Sequence, residues 1–187
     1  MIKSVKIIIH SGYCEVRYGN SFMLDGTGNY LQYEKDGVLH IESDPCIGHN
    51  ESTVISIPYN AALKSFILKI NDGAAEICPL NCKKCFLDIR SSSVKLCGIT
   101  SEHFGVSMSR GNAVINNAVC NKIDIDCGYG VVDLYAQNAD TEYSVASRRG
   151  MGSVTLNSVQ LPRQYNRPSG DNHINVTCGM GTVNINT

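Results

Sequence analysis

The stretch Ile123-Asp124-Ile125-Asp126-Cys127-Gly128-Tyr129-Gly130-Val131-Val132-Asp133-Leu134 decides the fold. Apolar and polar residues alternate as far as Cys127, a Gly-x-Gly corner follows, and the triplet Val132-Asp133-Leu134 closes the stretch. Alternation with period two marks a strand with one buried and one wet face. Glycine admits the positive φ of a tight corner, so the stretch reads strand, corner, strand.

The same unit recurs along the chain. Its triplets are Ala75-Glu76-Ile77, Val94-Lys95-Leu96, Ala113-Val114-Ile115, Val132-Asp133-Leu134, Val154-Thr155-Leu156 and Val183-Asn184-Ile185. Ile77, Leu96, Ile115 and Leu134 follow one another at equal steps, and two longer steps lead on to Leu156 and Ile185. An alternating strand precedes each triplet: 66–70, 85–89, 104–108, 123–127, 143–147 and 174–178. Gly150-Met151-Gly152 and Gly179-Met180-Gly181 repeat the glycine corner. A rung of this size cannot bury its own apolar face, but stacked rungs pair at ~4.8 Å and share one core.

The pattern predicts an all-β, single-stranded β-solenoid (β-helix) of about six rungs of 19 residues, with right-handed winding. Two apolar columns should run up the stack: Phe66/Cys85/Phe104/Ile123/Tyr143/Ile174 and Ile77/Leu96/Ile115/Leu134/Leu156/Ile185. A weaker third, Leu80/Ile99/Ala118/Val159, suggests a short third wall, with Gln137 breaking it. Residues 1–65 hold β segments that do not follow the regular step, among them a hairpin turning at Lys35-Asp36-Gly37, and are expected to cap the first end. The whole chain, 1–187, is expected to form a single domain, with 66–187 as the rungs.

Composition removes several function classes. The chain of 187 residues carries 16 basic and 17 acidic residues, a net charge of −1, which lacks the electrostatic footprint of a nucleic-acid binder. No apolar run approaches the ~20 residues of a membrane span, so no membrane insertion is expected. The opening Met1-Ile2-Lys3-Ser4-Val5-Lys6 has no secretory h-region, which gives a cytoplasmic expectation. Nine cysteines in such a setting are expected to be reduced.

The chain resembles the bacterial domain-of-unknown-function family known as "putative adhesin". The resemblance lies in a hairpin over 30–43 with Asp36-Gly37 at its turn, then Val54-Ile55-Ser56-Ile57-Pro58, then tandem strand–Gly–strand rungs, over roughly residues 30–187. It implies a β-solenoid and an adhesin-like role, with no catalytic residues to carry over.

A few motifs have spacings that chemistry could use. Cys78-x3-Cys82-x2-Cys85 has the spacing of a radical iron–sulfur loop, but Cys85 falls on an inward column, so buried small hydrophobes are the expectation. His10, His40, His49, His103 and His173 lack ligand spacing. Asp88, Asp124, Asp126 and Asp133 raise an acidic strip of the kind a Ca²⁺-dependent polysaccharide lyase uses, interrupted at Ser107. The two irregular rungs stand out. The fifth carries two extra residues near Arg148-Arg149, and about ten extra residues within 160–172 precede the sixth. Insertions on solenoids often form the binding face, so Arg148, Arg149, Arg163, Tyr165 and Arg167 are the candidate binding residues, for a carboxylate, phosphate or sugar acid.

Together these readings predict a non-enzymatic, adhesin-like binding or scaffold module for a protein or glycan, with no cofactor and no metal. The alternatives are a carbohydrate-active solenoid enzyme and a regulatory partner of an envelope-stress system. The last rung, ending at Thr187 without a capping sequence, is expected to leave an open strand edge for a second copy or a partner.

Overall fold

The computed structural model describes residues 2–45, 51–59, 61–137 and 142–187; Cys46, His49 and Asn60 lie outside them. Fifteen strands form one continuous sheet, and no α-helix occurs among the described residues. The strands are β1 (Ser4–Ile9), β2 (Tyr13–Gly19), β3 (Met23–Gly26), β4 (Tyr30–Lys35), β5 (Val38–Ser43), β6 (Ser52–Pro58), β7 (Leu63–Ile77) and β8 (Leu80–Leu96). They continue as β9 (Ile99–Ala136), β10 (Tyr143–Arg149), β11 (Ser153–Leu156), β12 (Val159–Gln160), β13 (Gln164–Arg167), β14 (Asn172–Cys178) and β15 (Thr182–Asn186).

The solenoid is there, with the expected step. Phe66 pairs with Cys85 and Cys85 with Phe104, while Ile77 pairs with Leu96 and Leu96 with Ile115, all in parallel. β9 runs through two rungs, joined by the bond from Gln137 N to Ala118 O at 2.9 Å. The first wall carries the longer strand of each rung and the second wall carries the triplet. A short third wall is present where Leu80 pairs with Ile99, and Leu80, Ile99 and Ala118 are buried. Val159 does not join it. Val159 is 66% exposed, and Leu161 is the residue that packs inward.

The N-terminal residues cap the stack and also lengthen it by two rungs. β1 and β2 lie directly on β7, with Val5 against Phe66 and Val16 against Ile77. β5 and β6 lie on β1 and β2, with Leu39 against Val5 and Ile55 against Val16. The expected hairpin is β4–β5, whose two-residue turn Asp36-Gly37 has φ of 53° and 74°. Positive φ at both central residues matches the strand twist. β4 and β3 pair antiparallel on the outermost rung and cover both of its edges.

At the other end, the spatial order departs from chain order, and three expectations are corrected. First, the C-terminal rung has no open edge. β14 is held between β9 and β10, and β15 between β9 and β11. Second, the rung of β10 and β11 is outermost, and the insertion caps it, since β13 pairs antiparallel with β10 and β12 with β11. Third, Val145 rather than Tyr143 stands in the Ile123/Ile174 column, while Tyr143 pairs with Asn172. The surplus of that rung is therefore three residues and lies ahead of its strand, before Tyr143. Its glycine corner has the ordinary length, because Gly150 stacks against Gly179 and Gly152 against Gly181.

Corner glycines set how closely rungs approach. Gly111 has φ of +125°, and a Cβ there would stand 2.0 Å from Ser92 O. Inside, aliphatic side chains, Phe66, Phe104 and cysteines fill one core. Cys127 and Cys178 meet in register, and burial, then the neighbouring Cys178, pushes the Cys127 thiol up to about 12. Cys82 and Cys85 also point inward, whereas Cys78 is only partly buried at the end of the second wall, so the three do not converge on one cluster. Cys14 takes an inward place opposite Ala75 and is held at about 12, by burial and then by Glu15.

Candidate functional site

Inward residues of the first wall leave their neighbours facing out, and register stacks those neighbours into columns. One outward column reads Ile67, Phe86, Gly105 across the rungs. It resumes with Asp124 and Asn175, which pair across β9 and β14. A column to one side carries Lys84 and His103, and then Lys122 and His173. A column to the other side carries Lys69, Asp88 and Ser107, and then Asp126, Thr177 and Arg148.

Phe86 is 41% exposed in the middle of this face. Its ring leans over Gly105, where a Cβ would come within 2.7 Å of Phe86 Cδ2. Any side chain at 105 would displace the ring, so glycine is what lets Phe86 lie against the sheet. Two clefts flank the ring. One, of about 480 Å³, is lined by Ser65, Ile67 and Lys84. The other, of about 470 Å³, is lined by Ser107, Asp124, Asp126, Asn175 and Thr177. Phe86, His103 and Gly105 line both, so the two make one trough across successive rungs.

Asp124 is the best-connected polar group of the trough. Its Oδ2 accepts from His103 Nε2 at 2.6 Å and Lys122 Nζ at 3.0 Å, and its Oδ1 accepts from Asn175 Nδ2 at 2.8 Å. Burial pushes its carboxyl up, but the bonds from Asn175, Lys122 and His103 outweigh that and leave it below its ordinary value. Lys69 and Asp88 pair at 3.3 Å. Ser107, Asp126 and Thr177 spend their side-chain donors and acceptors on no partner among the described residues.

The sequence-predicted binding residues are distributed otherwise. Arg148 is exposed and closes the column of Asp126 and Thr177 on the first wall. Arg149 turns inward at the corner, donating Nε to Leu161 O at 3.2 Å and Nη1 to Gly152 O at 3.0 Å. Tyr165 packs against the core, and Arg167 Nη2 donates to Tyr143 O at 3.2 Å. Arg163 is exposed beside the cap. The structure thus brings Arg149, Tyr165 and Arg167 into the end cap and leaves Arg148 on the trough's wall.

The acidic strip is not formed as a unit. Asp133 lies on the second wall, where Asn184 Nδ2 donates to it at 2.7 Å. Among the described residues, no group of three or more His, Cys, Asp or Glu could hold a metal ion, and no helix is long and apolar enough to cross a membrane. The trough itself was missed at the level of sequence. Its signal was present: Phe86 is a large aromatic at a wet position of its strand, and Gly105 follows it by one repeat step.

Comparison with known proteins agrees with this architecture. The sequence profile of the Toastrack DUF4097 family matches residues 19–187. No curated protein matches the chain. Among solved structures, a "putative cell adhesion protein" from Clostridium sporogenes is similar with a TM-score of 0.52 at 15% identity, covering 99% of this chain and 93% of its own. A "putative adhesin" from Bacteroides fragilis is similar with a TM-score of 0.56 at 15% identity, covering 100% of this chain and 92% of its own. At such identity the likeness is one of fold.

Proposed function

We propose that this chain, which belongs to the Toastrack DUF4097 family, is a non-enzymatic binding module of adhesin type that engages its ligand through the outer face of the first wall. The observation that carries this reading is the trough, where an exposed aromatic ring and unspent polar groups stand together on a rigid, register-locked sheet. Concave sites of mixed apolar and polar lining are where ligands bind. The names of the two solved relatives point in the same direction. The acid and base nearest each other in the trough, Asp124 and His103, are tied together with Lys122 and Asn175 into the wall, an arrangement suited to shaping a surface.

The test is direct binding of the labelled chain to immobilised glycans and to immobilised cell-surface proteins. Saturable binding to one of the two classes, with the ligand recovered chemically unchanged, is expected. Saturable binding to neither, or turnover of a bound ligand, would refute the reading.

A further inference from the structure

We infer that the trough on either side of Phe86 binds a neutral sugar chain laid across the rungs. This rests on the binding-module reading and names the ligand class of that same face.

The apolar half of the argument is the strip Ile67, Phe86, Gly105. Phe86 keeps 41% of its surface exposed although its strand buries the residues on either side of it, Cys85 and Leu87. The ring is held against the sheet because position 105 has no side chain. A flat aromatic face of this kind suits a partner with a flat C–H face, and such contacts add to simple area burial.

The polar half is the column Ser107, Asp126, Thr177 beside it. These groups offer two hydroxyls and one carboxylate without partners among the described residues, one rung apart at ~4.8 Å. A hydroxyl both donates and accepts, while a carboxylate only accepts. A sugar ring presents an apolar face bordered by hydroxyls that do both, and it is complementary to an aromatic strip bordered by these groups.

Charge decides for a neutral chain. Lys69 is neutralised by Asp88 at 3.3 Å, and Asp124 by Lys122 at 3.0 Å and His103 at 2.6 Å. Lys84 at one end of the trough and Asp126 at the other are single charges of opposite sign. An anionic ligand would need converging free cations; of those in the three columns of this face, Lys69 and Lys122 are paired with carboxylates, and Lys84 and Arg148 stand on rungs far apart. A peptide recognised by strand addition needs a sheet edge, whereas the trough lies mid-sheet. An open trough with few committed contacts fits millimolar to micromolar affinity.

The experiment is saturation-transfer NMR of the full chain with short neutral oligomers of glucose, galactose, mannose and N-acetylglucosamine at millimolar concentration. Titrations then give Kd for the parent, Phe86→Ala, Gly105→Val, Asp126→Asn and Tyr129→Ala. At least one neutral oligomer is expected to bind. Phe86→Ala should weaken it about tenfold, the scale of one lost aromatic contact. Gly105→Val should do the same by displacing the ring without removing it. Tyr129→Ala, an exposed aromatic at a corner away from the trough, should leave Kd unchanged. Circular dichroism and Tm confirm that each variant is folded, and Asp126→Asn, an isosteric change at an outward-facing position, keeps the test alive if the ring variants unfold. Sugar binding indifferent to positions 86, 105 and 126 would overturn the inference. So would binding confined to anionic sugars and lost in Arg148→Ala. Saturable protein binding with no neutral sugar bound would overturn the inference while leaving the binding-module reading intact.

Discussion

The stacking order at the C-terminal end can be decided by cross-linking. On the second wall, Asp133, Asn184 and Thr155 form one outward column, with Asn184 between the other two, bonded to Asp133 at 2.7 Å and to Thr155 at 2.8 Å. Rungs stacked in chain order would instead set Asp133 beside Thr155. In-register parallel neighbours lie at ~4.8 Å, inside the Cα separation a disulfide accepts, while two rungs span ~9.6 Å and exceed it. Asp133→Cys/Asn184→Cys should therefore oxidise readily, and Asp133→Cys/Thr155→Cys should not. The first bridge closes a loop of 51 residues, for which the chain-entropy relation gives roughly 4 kcal/mol. Replacing the two side-chain hydrogen bonds of Asn184 gives back about 1–3 kcal/mol. The oxidised variant should then exceed the parent by about 2 kcal/mol, or roughly 4–8 °C in Tm for a chain of this size. Peptide mapping by mass spectrometry identifies the bridge, and thermal unfolding with and without reductant measures its effect. A bridge that forms between 133 and 155, and not between 133 and 184, would refute the inserted rung.

Two further outcomes are expected. Ser92 stands where neighbouring rungs carry Gly73 and Gly111, and its hydroxyl is buried without a hydrogen-bond partner among the described residues; Ser92→Ala should be neutral or stabilising by up to about 1 kcal/mol in urea unfolding, and a loss of about 2 kcal/mol or more would show a hidden partner. The Asp124 carboxyl is depressed in the folded chain, so its bonds stabilise at pH above the ordinary value of 3.8 and are lost as pH falls through the lowered value. Asp124→Asn should accordingly cost less than about 1 kcal/mol near neutrality, given its exposure, with the Tm gap to the parent closing on acidification; a gap that widens in acid would reverse the sign of this argument.

The regular centre of the molecule was legible because nothing interrupts it. From β7 to the end of β9 each rung repeats at the same step, and register follows from the spacing alone. The ends were less legible because strand pairing is a long-range choice that a fixed step does not encode. A second spacing did encode part of it. Phe66 to Ile77, Cys85 to Leu96 and Ile174 to Ile185 span equal lengths of chain within a rung, and Val5 to Val16 and Val145 to Leu156 span that same length. That internal distance marks β1–β2 as a rung and places Val145, not Tyr143, in the core column. The outermost N-terminal rung breaks even this rule, since Leu39 to Ile55 is a longer span. The Arg-rich insertion was visible as an irregularity, but its β-pairing residues, Gln164–Arg167, satisfy an exposed strand edge. An unpaired edge on the last rung makes its demand in every folded copy, with or without a ligand, and the insertion answers that demand first.

Both ends solve that demand in the same way, and the solution bears on where function sits. At each end the chain lays down one rung, places another outside or inside it, and spends the connecting segment on short antiparallel strands over the outermost rung. β12 has two residues and β3 and β13 have four, and short edge strands make poor templates for another chain. End-to-end growth is thereby discouraged at the C-terminal end, whereas the six-residue β4 stays an edge at the other, and the extensive surfaces left are the outer faces of the walls. A trough that spans several rungs needs neighbouring strands in unbroken register, because one inserted residue would turn a column from the wet face to the buried one. Phe86, Gly105 and Asp124 stand on β8 and β9, the rungs without insertions. The regularity that made the fold readable is therefore also what allows the trough to exist, and variants that insert a residue between 105 and 124 should lose the second cleft while the end caps persist.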